Sequence, residues 1–91
     1  MGYSLRYSKS FTKKFKAVSM ADRRRIHEAL GKLSENPYPK GKSIKRLKGI
    51  KDEFMRLRVG DFRVLYIVRG GNVDILDLVP RGELEKAIKR L

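Results

Sequence analysis

The stretch Phe54–Tyr66, FMRLRVGDFRVLY, alternates with a period of two on both sides of the dipeptide Gly60-Asp61. Alternation of this kind marks half-buried strands, and a glycine-containing dipeptide between two of them reads as a tight hairpin turn. With Gly60 and Asp61 as the loop, Val59 pairs with Phe62, Arg58 with Arg63 and Leu57 with Val64. Cross-strand partners project from the same face of a sheet. One face then carries Met55, Leu57, Val59, Phe62, Val64 and Tyr66, a plausible core. The other carries Phe54, Arg56, Arg58 and Arg63, with two guanidiniums directly opposed. Like charges so placed destabilise the pair by roughly a few tenths of a kcal/mol. A chain tolerates that most readily where an anion is to be bound.

The whole chain points the same way. Its 91 residues make one domain, 1–91, since two cores would not fit. Lysine and arginine total 23 against 10 acids, a net charge of +13. So large an imbalance concerns partners rather than fold, and nucleic acid leads the candidates. A thermophile's ion-pair surface would need acids that are missing here. The chain has no cysteine, which removes disulfides and thiolate chemistry and fits a reducing compartment. With one histidine and scattered carboxylates no metal or other cofactor is expected. There is no apolar run near the roughly 18 residues of a membrane span and no evident signal peptide, so a cytoplasmic location without membrane contact is expected.

Outward from the hairpin, Tyr3, Leu5 and Tyr7 alternate as a first strand. Ser8 or Ser10 caps a short helix with Phe11, Phe15 and Val18 at helical spacing. Ser19, with Asp22 three residues on, opens a second helix through about Ser34, its stripe being Ile26, Leu30 and Leu33. Arg23, Arg24 and Arg25 near its start oppose the helix dipole. His27 lies beside the stripe and reads as structural or exposed. Pro37-Tyr38-Pro39 forms an extended loop. Lys40–Lys51 is the most basic segment, with a short strand at Ile44–Leu47 and a bend at Gly49. Gly70-Gly71-Asn72 is a second turn, followed by a strand at Val73–Val79. Counting back from it places Leu65, Ile67, Leu76 and Leu78 on the arginine face, which then needs an apolar cover. Leu84, Ala87, Ile88 and Leu91, spaced as one stripe of a terminal helix after Pro80, are that cover. The order β-α-α-β-β-β-β-α predicts an α+β fold: a small antiparallel sheet, two helices on the core face and a short C-terminal helix over the other.

Leu47-Lys48-Gly49, the run Arg56-Leu57-Arg58-Val59-Gly60-Asp61-Phe62-Arg63-Val64-Leu65-Tyr66 and Pro80-Arg81-Gly82 together resemble the RelE branch of the RelE/ParE toxin superfamily. The order of elements agrees over nearly the whole chain. The resemblance implies the toxin of a type II toxin–antitoxin pair that cleaves mRNA in the 30S ribosomal A site. In such enzymes the 2′-hydroxyl attacks the adjacent phosphate, giving a 2′,3′-cyclic phosphate and a free 5′-hydroxyl. It places Arg63 on the scissile phosphate and Arg81 at the transition state or the leaving oxygen, with the family's strand lysines falling near Arg56 and Arg58. It also implies a RelB-like antitoxin, a toxin monomeric in the absence of its antitoxin, and Leu84, Ile88 and Leu91 as antitoxin contacts. One departure stands out: Gly82–Ile88 has no tyrosine where RelE enzymes usually carry one.

From the residues themselves, arginine suits a pentacoordinate phosphorane because its planar fork binds two oxygens and keeps its charge. Lys45, Arg46, Lys48, Lys51 and Arg58 are the accompanying nucleic-acid contacts. The general base is open among Lys48, Lys51, Glu83 and Glu85. Arg63 has a competing use, an ion pair with Asp77 or a helix acid, and Arg81 one as a carbonyl cap. Two other functions fit the chain: a ParE-like inhibitor of DNA gyrase without catalysis, and a non-catalytic RNA-binding relative.

Overall fold

The computed structural model describes residues 2–47 and 53–91. Its elements are β1 (Ser4–Tyr7), α1 (Lys9–Ala17), α2 (Met20–Glu35), β2 (Ile44–Arg46), β3 (Phe54–Val59), β4 (Phe62–Arg69) and β5 (Asn72–Pro80). A single 3-10 turn, Arg81–Glu83, leads into α3 (Leu84–Lys89). The expected bend at Gly49 and the contacts assigned to Lys48 and Lys51 lie outside the described residues.

The helix starts follow from their caps. The Ser8 hydroxyl accepts from the Phe11 N–H at 3.0 Å, and Ser19 accepts from Asp22 at 3.1 Å. Each satisfies a backbone donor that the helix itself leaves unpaired. Helix α2 buries Ile26, Leu30 and Leu33, its expected stripe, and His27 is exposed.

The five strands form one sheet in the order β1-β5-β4-β3-β2. The β3–β4 hairpin has the expected register, Val59 with Phe62, Arg58 with Arg63 and Leu57 with Val64. Gly60 sits at φ +55°, and no non-glycine residue among those described has positive φ. A left-handed glycine followed by an ordinary residue is the pattern of a type II′ turn, whose twist matches that of the strands it joins. The core face carries Met55, Leu57, Val59, Val64 and Tyr66 against Phe11, Ile26, Leu30 and Leu33, with Phe62 at its margin. Tyr66 is fully buried, and its hydroxyl donates to the Pro37 carbonyl at 2.7 Å, so the core pins the proline loop.

Two features differ from the sequence expectation. Strand β1 pairs with β5 in parallel, Leu5 beside Val73 and Tyr7 beside Ile75, so the sheet is mostly rather than wholly antiparallel. Strand β5 also carries a bulge: Tyr66 faces Ile75, but Leu65 faces Asp77. The extra residue, Leu76, shifts everything after it by one place. Leu78 therefore turns to the main core opposite Val64, and Val79 takes the arginine face opposite Arg63. A bulge frees backbone groups from the ladder. Here the Ser8 hydroxyl donates to the Leu76 carbonyl at 2.6 Å, and the Asp77 carboxylate accepts from the Leu78 N–H at 2.9 Å.

The arginine face has its apolar cover at one end. Leu65, Val79 and Ala87 form a small second core with Leu47 and Leu84 packed on it. Helix α3 is short, and Leu91 lies beyond its end, 42 % exposed. The terminal helix thus docks through Leu84 and Ala87, with Ile88 half-buried and Leu91 free.

Candidate functional site

The outer face of the sheet is divided. Beside the apolar patch under α3 lies a cationic half drawn from three strands and the turn after β5. Lys45 stands directly opposite Arg56, and Arg58 directly opposite Arg63. These are two like-charge cross-strand pairs on one surface, each unfavourable to the sheet. Arg81 enters from the far side, where its backbone N–H donates to the Asp61 carbonyl at 2.8 Å, at the hairpin tip. With Phe62 level with Pro80, this brings Arg81 to the Arg63 end of the hairpin.

Arg63 is the focus of the group. Its partly buried guanidinium is held below the ordinary arginine range, first by desolvation and then by Arg56, Arg58 and Arg81 in turn. Asp61 acts the other way. Arginine stays charged under such influence, so its field is directed at whatever anion arrives. Arg63 Nη1 donates to the Gly60 carbonyl at 3.0 Å and to the Phe62 carbonyl at 2.9 Å. Both Nη1 hydrogens are then used, leaving the parallel N–H pair of Nε and Nη2. That edge is the fork that grips two oxygens of a carboxylate or phosphate. Elsewhere in the molecule Arg6 shows it at work, gripping Asp74 through Nε at 2.6 Å and Nη2 at 3.1 Å. Arg56 is held in the same manner, with Nη1 directed at the carbonyls of Lys42 and Ser43 at 3.3 and 3.5 Å. Two guanidiniums are thus fixed by backbone carbonyls, with their forks unoccupied among the described residues.

The structure does not bring every expected residue here. Arg46 lies level with Met55, on the other face of the sheet, and pairs with Glu53 at 3.0 Å. Strand alternation alone separates it from Lys45. The expected competitor for Arg63 is absent too: Asp77 binds Lys14 at 2.7 Å and Ser10 at 3.1 Å. Glu83 and Glu85 are exposed on the terminal turn and helix.

One neighbour was not assigned from sequence. Arg25 of α2 reaches the hairpin, its Nη1 lying 3.9 Å from where a side chain on Gly60 would begin. The signal was present in the three consecutive arginines near the start of α2, yet nothing local tied one of them to the turn. Arg25 and Arg58 line the same open groove of about 850 Å³ between α2 and β3.

A scaffold of this kind, two helices under a five-stranded sheet, is shared with known proteins. The family model described as the ParE toxin of the type II toxin–antitoxin system parDE matches residues 5–85. RelE1 of Methanocaldococcus jannaschii is 39 % identical over 69 residues, 75 % of this chain and 76 % of that protein. Among solved structures, the archaeal RelE–RelB complex from Pyrococcus horikoshii OT3 superposes with a TM-score of 0.78 at 34 % identity, over 90 % of this chain and 98 % of that one. A double-arginine mutant of E. coli toxin RelE in the free state shares the fold, with a TM-score of 0.73 at 21 % identity over 100 % and 99 % of the two chains. The chain belongs to the RelE/ParE superfamily of type II toxin–antitoxin toxins, and within it to the RelE-like members.

Proposed function

We propose that this toxin is a ribosome-dependent endoribonuclease that cuts mRNA in the A site. The observation that carries the reading is the open Nε/Nη2 fork of Arg63, held from behind by Gly60 and Phe62 and flanked by Arg56, Arg58 and Arg81. Attack of a 2′-hydroxyl on the neighbouring phosphorus builds negative charge on the equatorial oxygens. A guanidinium already oriented by backbone carbonyls meets that charge without reorganising, and such preorganised donors contribute about 3–4 kcal/mol each in oxyanion sites. In this scheme Arg63 takes the scissile phosphate, Arg81 takes the leaving 5′-oxygen and Arg56 adds charge at the phosphorane. Lys45 and Arg58 carry the flanking backbone. The ribosome or the substrate supplies the proton transfer, for which this face offers no tyrosine or histidine among the described residues. Several solved neighbours are complexes of RelE with RelB, which supports a RelB-like antitoxin as this chain's protein partner. Leu84, Ile88 and the exposed Leu91 are its contacts in our reading.

A second reading has one observation in its favour, the ParE description of the matching family model. Under it the toxin inhibits gyrase and performs no chemistry. A reconstituted translation reaction run beside a gyrase supercoiling assay separates the two. Our reading predicts shortened mRNA with 5′-hydroxyl ends and unaffected supercoiling. Intact mRNA with blocked supercoiling would establish the second reading instead.

A further inference from the structure

A second cationic surface lies on the other side of the molecule, and the arginine site does not account for it. Lys9, Thr12, Lys13 and Lys16 recur at helical spacing along one face of α1, opposite buried Phe11. With Tyr7 and Ser8 they line an open depression of about 550 Å³ that contains no acid. Lys9 stands in the first turn of α1, which has no acidic residue, where a positive charge opposes the helix dipole. Lys13 is four residues from Lys9 and three from Lys16, spacings at which like charges repel. None of the three has an ion-pair partner among the described residues; Asp77, an acid that does contact this helix, is taken by Lys14. As with Arg58 and Arg63, cations crowd without compensation.

The second observation is aromatic. Tyr7 is 50 % exposed. Its ring stacks on Phe11 with centroids 5.5 Å apart and planes 25° apart, and Phe11 stacks on Phe15 at 5.6 Å and 19°. Three near-parallel rings thus stack in a row, with Phe11 buried in the middle, Phe15 part-buried at one end and Tyr7 half-exposed at the other. An exposed aromatic face beside a line of cations is how proteins hold unpaired nucleotides: the base extends the stack and the phosphates follow the cations. Tyr7 is level with Ile75, whose side chain is in the main core, so it faces the helix layer and not the arginine face. Two to three strand spacings, about 10–14 Å, also separate β1 from β4 and β3 in the sheet order. One nucleotide cannot occupy both places.

We propose that Tyr7, Lys9, Lys13 and Lys16 form a second RNA-binding surface, which stacks one unpaired base on Tyr7 and tracks its backbone along α1. The choice of RNA rests on the functional reading above. The surface would hold a stretch of RNA other than the one being cut.

The test is fluorescence anisotropy of the full chain with a short labelled single-stranded oligouridylate, titrated at several salt concentrations. Tyr7→Leu is expected to weaken binding roughly tenfold, the usual loss when one stacking ring is removed. The triple variant Lys9→Gln, Lys13→Gln, Lys16→Gln is expected to lower the salt slope by about 2, from about 0.7 per phosphate contact on a single strand. An oligouridylate carrying 4-thiouridine should photocrosslink to the peptide containing Tyr7. Wild-type affinity and slope in both variants, with crosslinks confined to the hairpin, would overturn the proposal. So would a triple variant that loses polyglutamate and oligouridylate equally while Tyr7→Leu loses neither, since that describes an unspecific charged patch. If the toxin proves not to cleave mRNA, the binding and crosslinking still decide this surface. If cleavage stands and these variants bind normally, this surface alone is rejected.

Discussion

Arg58 and Arg63 face each other across the β3–β4 hairpin as a non-hydrogen-bonded pair. The Arg58 N–H points away from its partner and donates to the Ser43 carbonyl of the neighbouring chain segment at 2.7 Å. In such pairs the side chains stand closer than in hydrogen-bonded ones. Arg58→Thr should therefore stabilise the fold by about 0.2–1 kcal/mol, by removing repulsion and placing a β-branched residue in a strand. Urea denaturation at low and high salt checks this. Wild-type stability should rise with salt as the repulsion is screened, and the variant's should rise less.

Tyr66 offers a test of the core. Burial without a charged neighbour pushes its phenol well above the usual tyrosine range. The sign follows from linkage: below about pH 10 both folded and unfolded chains hold the proton, and above it the unfolded chain loses it first. Stability contributed by neutral Tyr66 is thus complete below pH 10 and declines as the pH rises toward the folded value. Tyr66→Phe should cost about 1–2 kcal/mol at neutral pH, because the Pro37 carbonyl loses its donor. It should also flatten the alkaline decline relative to wild type. Thermal melts of both chains between neutral and strongly alkaline pH measure the two effects.

Asp77 holds the bulge to helix α1 through Lys14, Ser10 and the Leu78 N–H. Asp77→Ala leaves a part-buried N–H without its acceptor and should cost about 1–3 kcal/mol. Lys14→Ala, at a side chain 40 % exposed, should cost under about 1 kcal/mol. Comparable losses from both would contradict the view that the backbone contact dominates.

Helix α3 has a small footprint, chiefly Leu84 and Ala87 over Leu65 and Val79. Ala87→Glu places a carboxylate at a position only 3 % exposed and should undock the helix. Faster proteolysis after residue 80 and added binding of an apolar dye, with the far-UV spectrum of the sheet retained, are the expected readouts. Unchanged protection would show that α3 is held by something other than this packing.

The hairpin was legible because its register is local: Gly60-Asp61 fixes the pairing, and alternation then sorts Met55, Leu57 and Val64 from Arg56, Arg58 and Arg63. The helix caps were legible for the same reason, each set by a serine and the N–H three residues on. Leu78 was misplaced because the bulge at Leu76 depends on Ser8, which lies 68 residues away and meets β5 only once β1 has paired alongside it. The parallel β1–β5 pairing is non-local in the same sense, and no pattern within either strand declares it. At the site, Lys45 comes from the basic segment and stands on the arginine face, level with Arg56. Arg46, its neighbour in that segment, was lost to the opposite face. Charge density along a chain carries no face information until the strand is placed.

Cleavage by the arginine site can be read by primer extension on mRNA in translating ribosomes with the wild-type toxin, Arg63→Ala and Arg81→Ala. Wild-type cuts inside A-site codons are expected, reduced at least about 100-fold by Arg63→Ala, as on removal of an oriented donor at a developing oxyanion. Arg81→Ala should also reduce them while leaving the cut positions unchanged. Cleavage by Arg63→Ala at the wild-type rate, or intact mRNA with the wild-type toxin, would rule out Arg63 as the phosphate-binding group of a nuclease.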